Sequence, residues 1–146
     1  MEIEIKIDKE YTEPKIIIMT DKITEDISRL MKQLQEESPK ILTGFKNGRA
    51  EIIAYEDIIR IYAASGKVFA VTQNGEYILK RRLYELEEIL DKTSFIRISN
   101  SEIINLKSVK SFDLSISGTI RVSFSDGSAS YASRRYISKI KSILGI

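Results

Sequence analysis

The chain predicts a mostly β fold with short helices, an α+β class built from antiparallel hairpins, and three observations predict it. Asn47-Gly48, Asn74-Gly75, Ser117-Gly118 and Asp126-Gly127 each lie between β-type runs, and each pair can supply the positive φ angles of a tight turn. The runs between them are short, as strands are, and rich in Ile, Val, Tyr and Phe. Helical periodicity is confined to three short segments. A parallel sheet would need a long crossover after each strand, and a chain with this many turn signals has no room for them.

Taken in order, Glu2 to Ile7 alternates strictly, with Ile3, Ile5 and Ile7 on one face and Glu2, Glu4 and Lys6 on the other. Period-two alternation predicts a half-buried strand. Glu13-Pro14 punctuates, and Lys15 to Met19 predicts a second strand. Thr20 or Asp21 is placed to cap a helix running to about Glu37, with Ile23, Ile27, Leu30, Met31 and Leu34 three to four residues apart. Ser38-Pro39 ends it, because the residue before proline avoids the helical region. Residues 1–38 thus predict a small β-β-α leader. Two strands and a helix are marginal alone, so the leader is expected to dock on the body or on a second copy of itself.

Residues 39–146 form the predicted body. Its expected strands are Ile41–Phe45, Arg49–Ala54, Ile58–Ala63, Lys67–Thr72, Tyr77–Leu79, Ile96–Ile98, Ile103–Asn105, Val109–Leu114, Thr119–Phe124 and Ser128–Ala132. Tyr55-Glu56-Asp57 reads as one helical turn. Arg81 to Asp91 and Arg134 to Leu144 read as helices, the first with Leu83, Leu86, Ile89 and Leu90 on one face, the second with Ile137, Ile140, Ile143 and Leu144. There is no internal repeat.

Composition narrows the function. Among 146 residues there is no cysteine, histidine or tryptophan. That removes disulfides, thiolate metal sites and a cysteine nucleophile, together with the commonest general base and every Ser-His-Asp arrangement. Glu85, Glu87 and Glu88 fall on the solvated face of a predicted helix, and Glu56-Asp57 suits the N-terminus of a short helical turn. No phosphate-binding loop, dinucleotide fingerprint or calcium-loop spacing occurs. The chain is expected to be neither an enzyme nor a cofactor carrier. Met1 to Asp8 lacks a signal peptide's apolar run, and the longest aliphatic stretches, such as Ile16 to Met19, are too short to span a bilayer. The cytoplasm is the expected compartment.

A net charge of +2 conceals an asymmetry: residues 1–38 carry six Lys and Arg against ten Asp and Glu, and residues 39–146 carry 17 against 11. An acidic leader on a basic body is a pattern of proteins that meet nucleic acid; a well-solvated surface is the plainer account. Lys80-Arg81-Arg82 and Arg134-Arg135 open the two predicted helices of the body, where cations oppose the helix dipole at a cost of about 0.3–1 kcal/mol each. Tolerating that twice points to an anionic partner. Ser99-Asn100-Ser101 lies between two short strands, so Asn100 stands at a turn. Its amide has the donor and acceptor set that pairs with adenine in the major groove, while asparagine also favours turns for their own geometry.

Phe95-Ile96-Arg97-Ile98-Ser99-Asn100-Ser101, then Ile103-Ile104-Asn105-Leu106, Val109-Lys110-Ser111-Phe112 and Tyr131-Ala132-Ser133-Arg134-Arg135-Tyr136 resemble, in that order, the LytTR DNA-binding domain family. Tyr55-Glu56-Asp57-Ile58-Ile59-Arg60-Ile61-Tyr62 resembles that family's entry segment, and the likeness spans about Ile41 to Leu144. The resemblance implies an elongated stack of small antiparallel β-sheets in which loop residues, not a recognition helix, enter successive major grooves of double-stranded DNA. Carried over, base reading falls on Asn100 and Arg135. The third contacting loop corresponds to Ala64-Ser65-Gly66-Lys67, where some members have a histidine; Gly66 has no side chain to read a base, and Lys67 is left to reach a phosphate. Lys67, Lys80, Arg81, Arg82, Arg97, Ser99, Ser101, Lys107 and Arg134 are the expected contacts to the DNA backbone.

Residues 1–38 are too short for a phosphoacceptor receiver domain, so the switch is expected to lie elsewhere. Members without a receiver often occur with a small membrane protein that restrains them, and the leader is expected either to form a homodimer or to dock such an inhibitor. The sequence therefore predicts a DNA-binding transcriptional regulator, dimeric on paired half-sites. A β-rich protein-interaction or ligand-binding module with an incidental basic face is the alternative, and a single-stranded nucleic-acid binder ranks behind both because the Phe and Tyr residues mostly fall at apolar strand positions.

Overall fold

The structure is a computed structural model that describes residues 1–35 and 40–146. It divides into two units, Met1–Ser38 and Pro39–Ile146.

In the first unit Glu25–Gln35 forms α1. Its cap is Thr24 and not Thr20 or Asp21: the Ile27 amide donates to Thr24 Oγ1 at 3.3 Å, and Glu25 and Asp26 occupy the first turn, where the helix dipole favours acids. The end expected near Glu37, at Ser38-Pro39, lies outside the described residues. The strands expected over Glu2–Ile7 and Lys15–Met19 are not formed. Alternation makes one face apolar, but a strand exists only through hydrogen bonds to a neighbour. Ile3, Ile5 and Ile7 remain 85%, 82% and 94% exposed, and no residue of α1 is buried.

The second unit contains β1 (Ile41–Lys46), β2 (Arg49–Ala54), β3 (Arg60–Ala64), β4 (Lys67–Thr72), β5 (Gly75–Leu79), α2 (Leu83–Ile89), β6 (Phe95–Ser99), β7 (Glu102–Asn105), β8 (Val109–Asp113), β9 (Ile120–Phe124), β10 (Ala129–Ala132) and α3 (Ile137–Leu144). Single 3-10 turns span Tyr55–Asp57, Leu106–Ser108 and Arg134–Tyr136. The mostly β class with antiparallel sheets and short helices is thus present. Boundaries differ in ways the pairing explains. The β4–β5 turn is Gln73-Asn74, because Thr72 already pairs with Gly75. Ile58 and Ile59 precede β3, each turned to a different core.

Every paired strand in this unit is antiparallel to its neighbours. Seven strands form one sheet in the order β2-β1-β5-β4-β3-β7-β6, and β10-β9-β8 form a second. Two cores lie on opposite faces of the larger sheet. Leu42, Ile53, Ile61, Tyr77 and Ile103 pack under Leu83 and Leu86 of α2. Ile96, Ile98 and Ile104 pack against Ile120, Val122 and Phe124 of the small sheet and Ile140 of α3. The neighbours Ile103 and Ile104 point into different cores, as strand periodicity requires. Each fully buried isoleucine contributes roughly 1.5–3 kcal/mol relative to exposure.

One buried polar group ties these parts together. Asn105, 1% exposed, donates from Nδ2 to the Ile58 carbonyl at 2.8 Å and accepts from the Lys107 amide at 3.0 Å. It thereby satisfies two backbone groups that no strand partner serves. Asn105→Ala should strand both and destabilise the chain by about 1–3 kcal/mol, visible as a lower denaturation midpoint in urea with an unchanged slope.

Candidate nucleic-acid interface

Strand pairing brings three separate segments to one end of the large sheet. The β3–β4 connection is a two-residue turn, since Ala64 pairs with Lys67. Ser65 and Gly66 have φ of 53° and 75°, the left-handed pair that a type I′ turn needs. β7 lies antiparallel to β3 with Tyr62 opposite Glu102, so the β6–β7 turn at Asn100-Ser101 emerges beside Ser65-Gly66. The Ala63 amide donates to the Ser101 carbonyl at 2.8 Å and stitches the two. The Ser133 amide donates to the Ile98 carbonyl at 2.8 Å, which carries the Arg134–Tyr136 turn to the same place. Tyr136 Oη reaches Asn100 Oδ1 at 3.2 Å. Asn100, Arg134, Arg135, Ser65, Gly66 and Lys67 are exposed there.

Further cations join this end. Leu79 pairs with Val68, so Lys80, Arg81 and Arg82 leave the sheet next to Lys67, all three exposed. Lys80 Nζ stands 4.4 Å above the Phe45 ring. Arg82 sits just ahead of α2, and Glu85 Oε1 accepts its backbone amide at 3.2 Å, so an acid inside the first turn offsets the misplaced cations. Ser99 and Ser101 flank Asn100 with hydroxyls 3.3 Å apart.

Two of the residues expected to contact the DNA backbone stand apart from the others in the structure. Arg97 is half-buried and spends its guanidinium within the protein: Nε donates to the Ser99 carbonyl at 2.8 Å, Nη2 to the Asn100 carbonyl at 2.5 Å and Nη1 to Glu87 Oε2 at 2.8 Å. A rigid fork of donors is suited to gripping several acceptors at once, and here it grips the loop from beneath. Lys107 follows β7 at its other end, where Asn105 pairs with Phe95, a strand's length from Asn100.

Sequence reading also missed two features. The loop between β8 and β9, 114–119, is exposed apart from Thr119 and lies beside Arg134: a Cβ on Gly118 would stand 3.1 Å from Arg134 Nη2, and Gly118 has φ of 79°. Thr119 Oγ1 holds it by donating to the Ala132 carbonyl at 2.6 Å. At its base the hydroxyl and amide of Ser115 hold the Asp113 carboxyl below its usual range. Tyr136 is the other, and its hydrogen bond joins residues 36 apart in sequence. The Ser-Gly pair and an aromatic at a helix start were the available signals. Inside this end, Glu102 is 6% exposed, accepts from Arg60 Nη1 at 2.7 Å and from Ser130 Oγ, and so joins β7, β3 and β10. No cluster of three or more metal-ligating side chains occurs among the described residues.

Comparisons with known proteins find relatives of this chain. The family model described as the LytTr DNA-binding domain matches residues 48–145. Uncharacterized HTH-type transcriptional regulators from Staphylococcus aureus, among them those of strains COL and Mu50, are 33% identical over 147 residues, covering 100% of this chain and 99% of the relative. A solved LytTr DNA-binding domain from Bacillus cereus superposes with a TM-score of 0.72 at 23% identity, covering 75% of this chain and all of that one.

The fork of Arg97 makes a prediction about the loop alone. Arg97→Lys keeps the charge but loses the fork, and amide exchange at Ser99–Ser101 should quicken roughly tenfold, as read by hydrogen-exchange NMR, with the β4–β5 amides unchanged.

Proposed function

The chain belongs to the LytTR DNA-binding domain family, and from that premise we propose that it is a cytoplasmic transcriptional regulator that reads successive major grooves of double-stranded DNA with loop residues, as a homodimer on paired half-sites. The observation that carries this reading is the convergence of three loops at one sheet end, fastened by the Ala63–Ser101 and Ser133–Ile98 main-chain bonds. Asn100 and Arg135 read bases. Arginine on guanine O6 and N7 is the commonest specific contact, worth about 1–3 kcal/mol of discrimination. Lys67, Lys80, Arg81, Arg82, Arg134, Ser99 and Ser101 contact phosphates, which fix register and carry affinity. Arg97 serves from within, by holding the Asn100 loop. The function includes no catalytic step. No helix among the described residues is long and apolar enough to cross a membrane.

The acidic leader pairs two copies, or docks a small membrane-protein inhibitor. Its exposed Ile3, Ile5 and Ile7 and an amphipathic α1 with no buried residue support a role in association. Pairing of copies is tested by the double substitution Ile27→Glu and Leu34→Glu, which should turn a dimer into a monomer in sedimentation equilibrium while leaving the body's melting temperature unchanged.

One observation favours the interaction-module alternative. On the face of the large sheet away from α2, Phe45 lies opposite Ile78, and Ile78 opposite Phe69. With the 74% exposed Ile52 of β2 they make an apolar stripe. Titration of duplex DNA by fluorescence anisotropy over a salt series separates the readings. DNA binding gives a log–log salt slope of about −0.9 per neutralised phosphate. Arg135→Ala should weaken binding to a selected site about tenfold and relax one base position, whereas Lys80→Ala and Arg81→Ala should weaken all sequences alike and flatten the slope. Absence of binding at low salt would leave the apolar stripe as the functional surface.

A further inference from the structure

An asparagine side chain presents two donors on one side and an acceptor on the other, so its orientation decides which base edge it accepts. Nothing in the turn Ser99-Asn100-Ser101 itself sets that orientation. Arg97 fixes the main chain of this turn through the Ser99 and Asn100 carbonyls and leaves the Asn100 amide alone. The group that touches the amide is Tyr136, whose Oη donates to Asn100 Oδ1 at 3.2 Å. Tyr136 is itself anchored: its ring packs against the core shared by β6, β9 and α3, and its backbone amide donates to the Ser133 carbonyl at 3.0 Å. A rigid hydroxyl thus meets an otherwise free side chain.

We infer that Tyr136 is a specificity-determining positioning residue, which orients the Asn100 amide so that its donors lead into the groove and select a purine through N7. This rests on the base-reading role proposed for Asn100. Oδ1 has one lone pair occupied by Tyr136, and Nδ2 makes no hydrogen bond among the described residues, which leaves both of its N–H bonds for the groove. In the major groove both purines present N7 as an acceptor, whereas cytosine presents a donor and thymine a methyl group beside its O4. The remaining lone pair of Oδ1 stays available to the adenine amino group. Without the hydroxyl the amide turns freely and its acceptor faces the groove as often as its donors. Arg135 precedes Tyr136 directly, so the hydroxyl that orients Asn100 comes from the same turn that carries Arg135.

The test uses the full chain and a duplex it selects from a random pool, remade with each base at each position. Asn100→Ala identifies the position Asn100 reads by relaxing it. Tyr136→Phe keeps the packed ring and should lower purine-over-pyrimidine preference at that same position about tenfold, leaving the other positions, random-duplex affinity and melting temperature as they were. The double variant should be no more relaxed there than Asn100→Ala alone. In the free protein, the Asn100 side-chain amide resonances should shift and broaden in Tyr136→Phe while the backbone amides of Ser99 and Ser101 hold still, a readout that needs no DNA. Full purine preference in Tyr136→Phe, a pyrimidine preference at that position in the unaltered chain, or an unchanged Asn100 amide would each overturn the inference. A chain that selects no sequence, or whose Asn100→Ala variant relaxes no position, would overturn the base-reading role of Asn100 and the inference with it.

Discussion

Three residue pairs between β3 and β7, Arg60 with Ile104, Ile61 with Ile103 and Tyr62 with Glu102, hold together everything the body does. On one side of this seam lie hairpins formed by neighbours in the chain; on the other lie β6, β7 and the small sheet with α3. Both ends of the seam are pinned by buried polar groups, Asn105 on the Ile58 carbonyl at one end and Glu102 on Arg60 at the other. A short antiparallel ladder has few hydrogen bonds with which to resist slipping, and a slip of one residue would turn Ile103 and Ile104 into each other's cores. The pins hold the register, and the register alone sets Asn100 beside Ser65.

What the sequence made legible follows from locality. Ten strands of the body could be read because each turn signal and each alternation lies within a few residues, and six of the pairings join strands adjacent in sequence. The β3–β7 seam joins residues about 40 apart, and no periodicity in either strand reports its partner. The leader shows the same limit from the other side. Glu2–Ile7 alternates as well as any strand of the body, but alternation fixes a face and cannot furnish a neighbour. At the site, Asn100 was legible from its turn. Arg97 was not, because an arginine two residues before a turn reads alike whether it faces solvent or Glu87 on a helix. Nor was the place of Lys107 legible, because a four-residue strand suffices to carry it to the opposite end from Asn100.

The electrostatics of the loop end are arranged so that cations accumulate without helix termini suffering for it. The sequence suggested Lys and Arg at two helix N-termini. In the structure the first group stands ahead of α2, with Glu85 in its first turn accepting the Arg82 amide, and the second occupies a 3-10 turn that precedes α3. Glu102 and Glu87 are already engaged by Arg60 and Arg97, so their negative charge is compensated within the protein. What faces outward is positive and mobile on long stems, suited to following a phosphate backbone.

The loops are fastened to one another almost wholly through main-chain groups: Ala63 to Ser101, Ser133 to Ile98, and the Arg97 fork to two carbonyls. None of these bonds uses the side chain of residue 100 or 135. The identities of those residues are therefore uncoupled from folding, and a lineage can exchange them one at a time without first acquiring compensating changes in the core. A scaffold of this kind lets a regulator and its operator sequences drift together, so that duplicated copies can diverge to serve separate promoters while the protein beneath them stays the same.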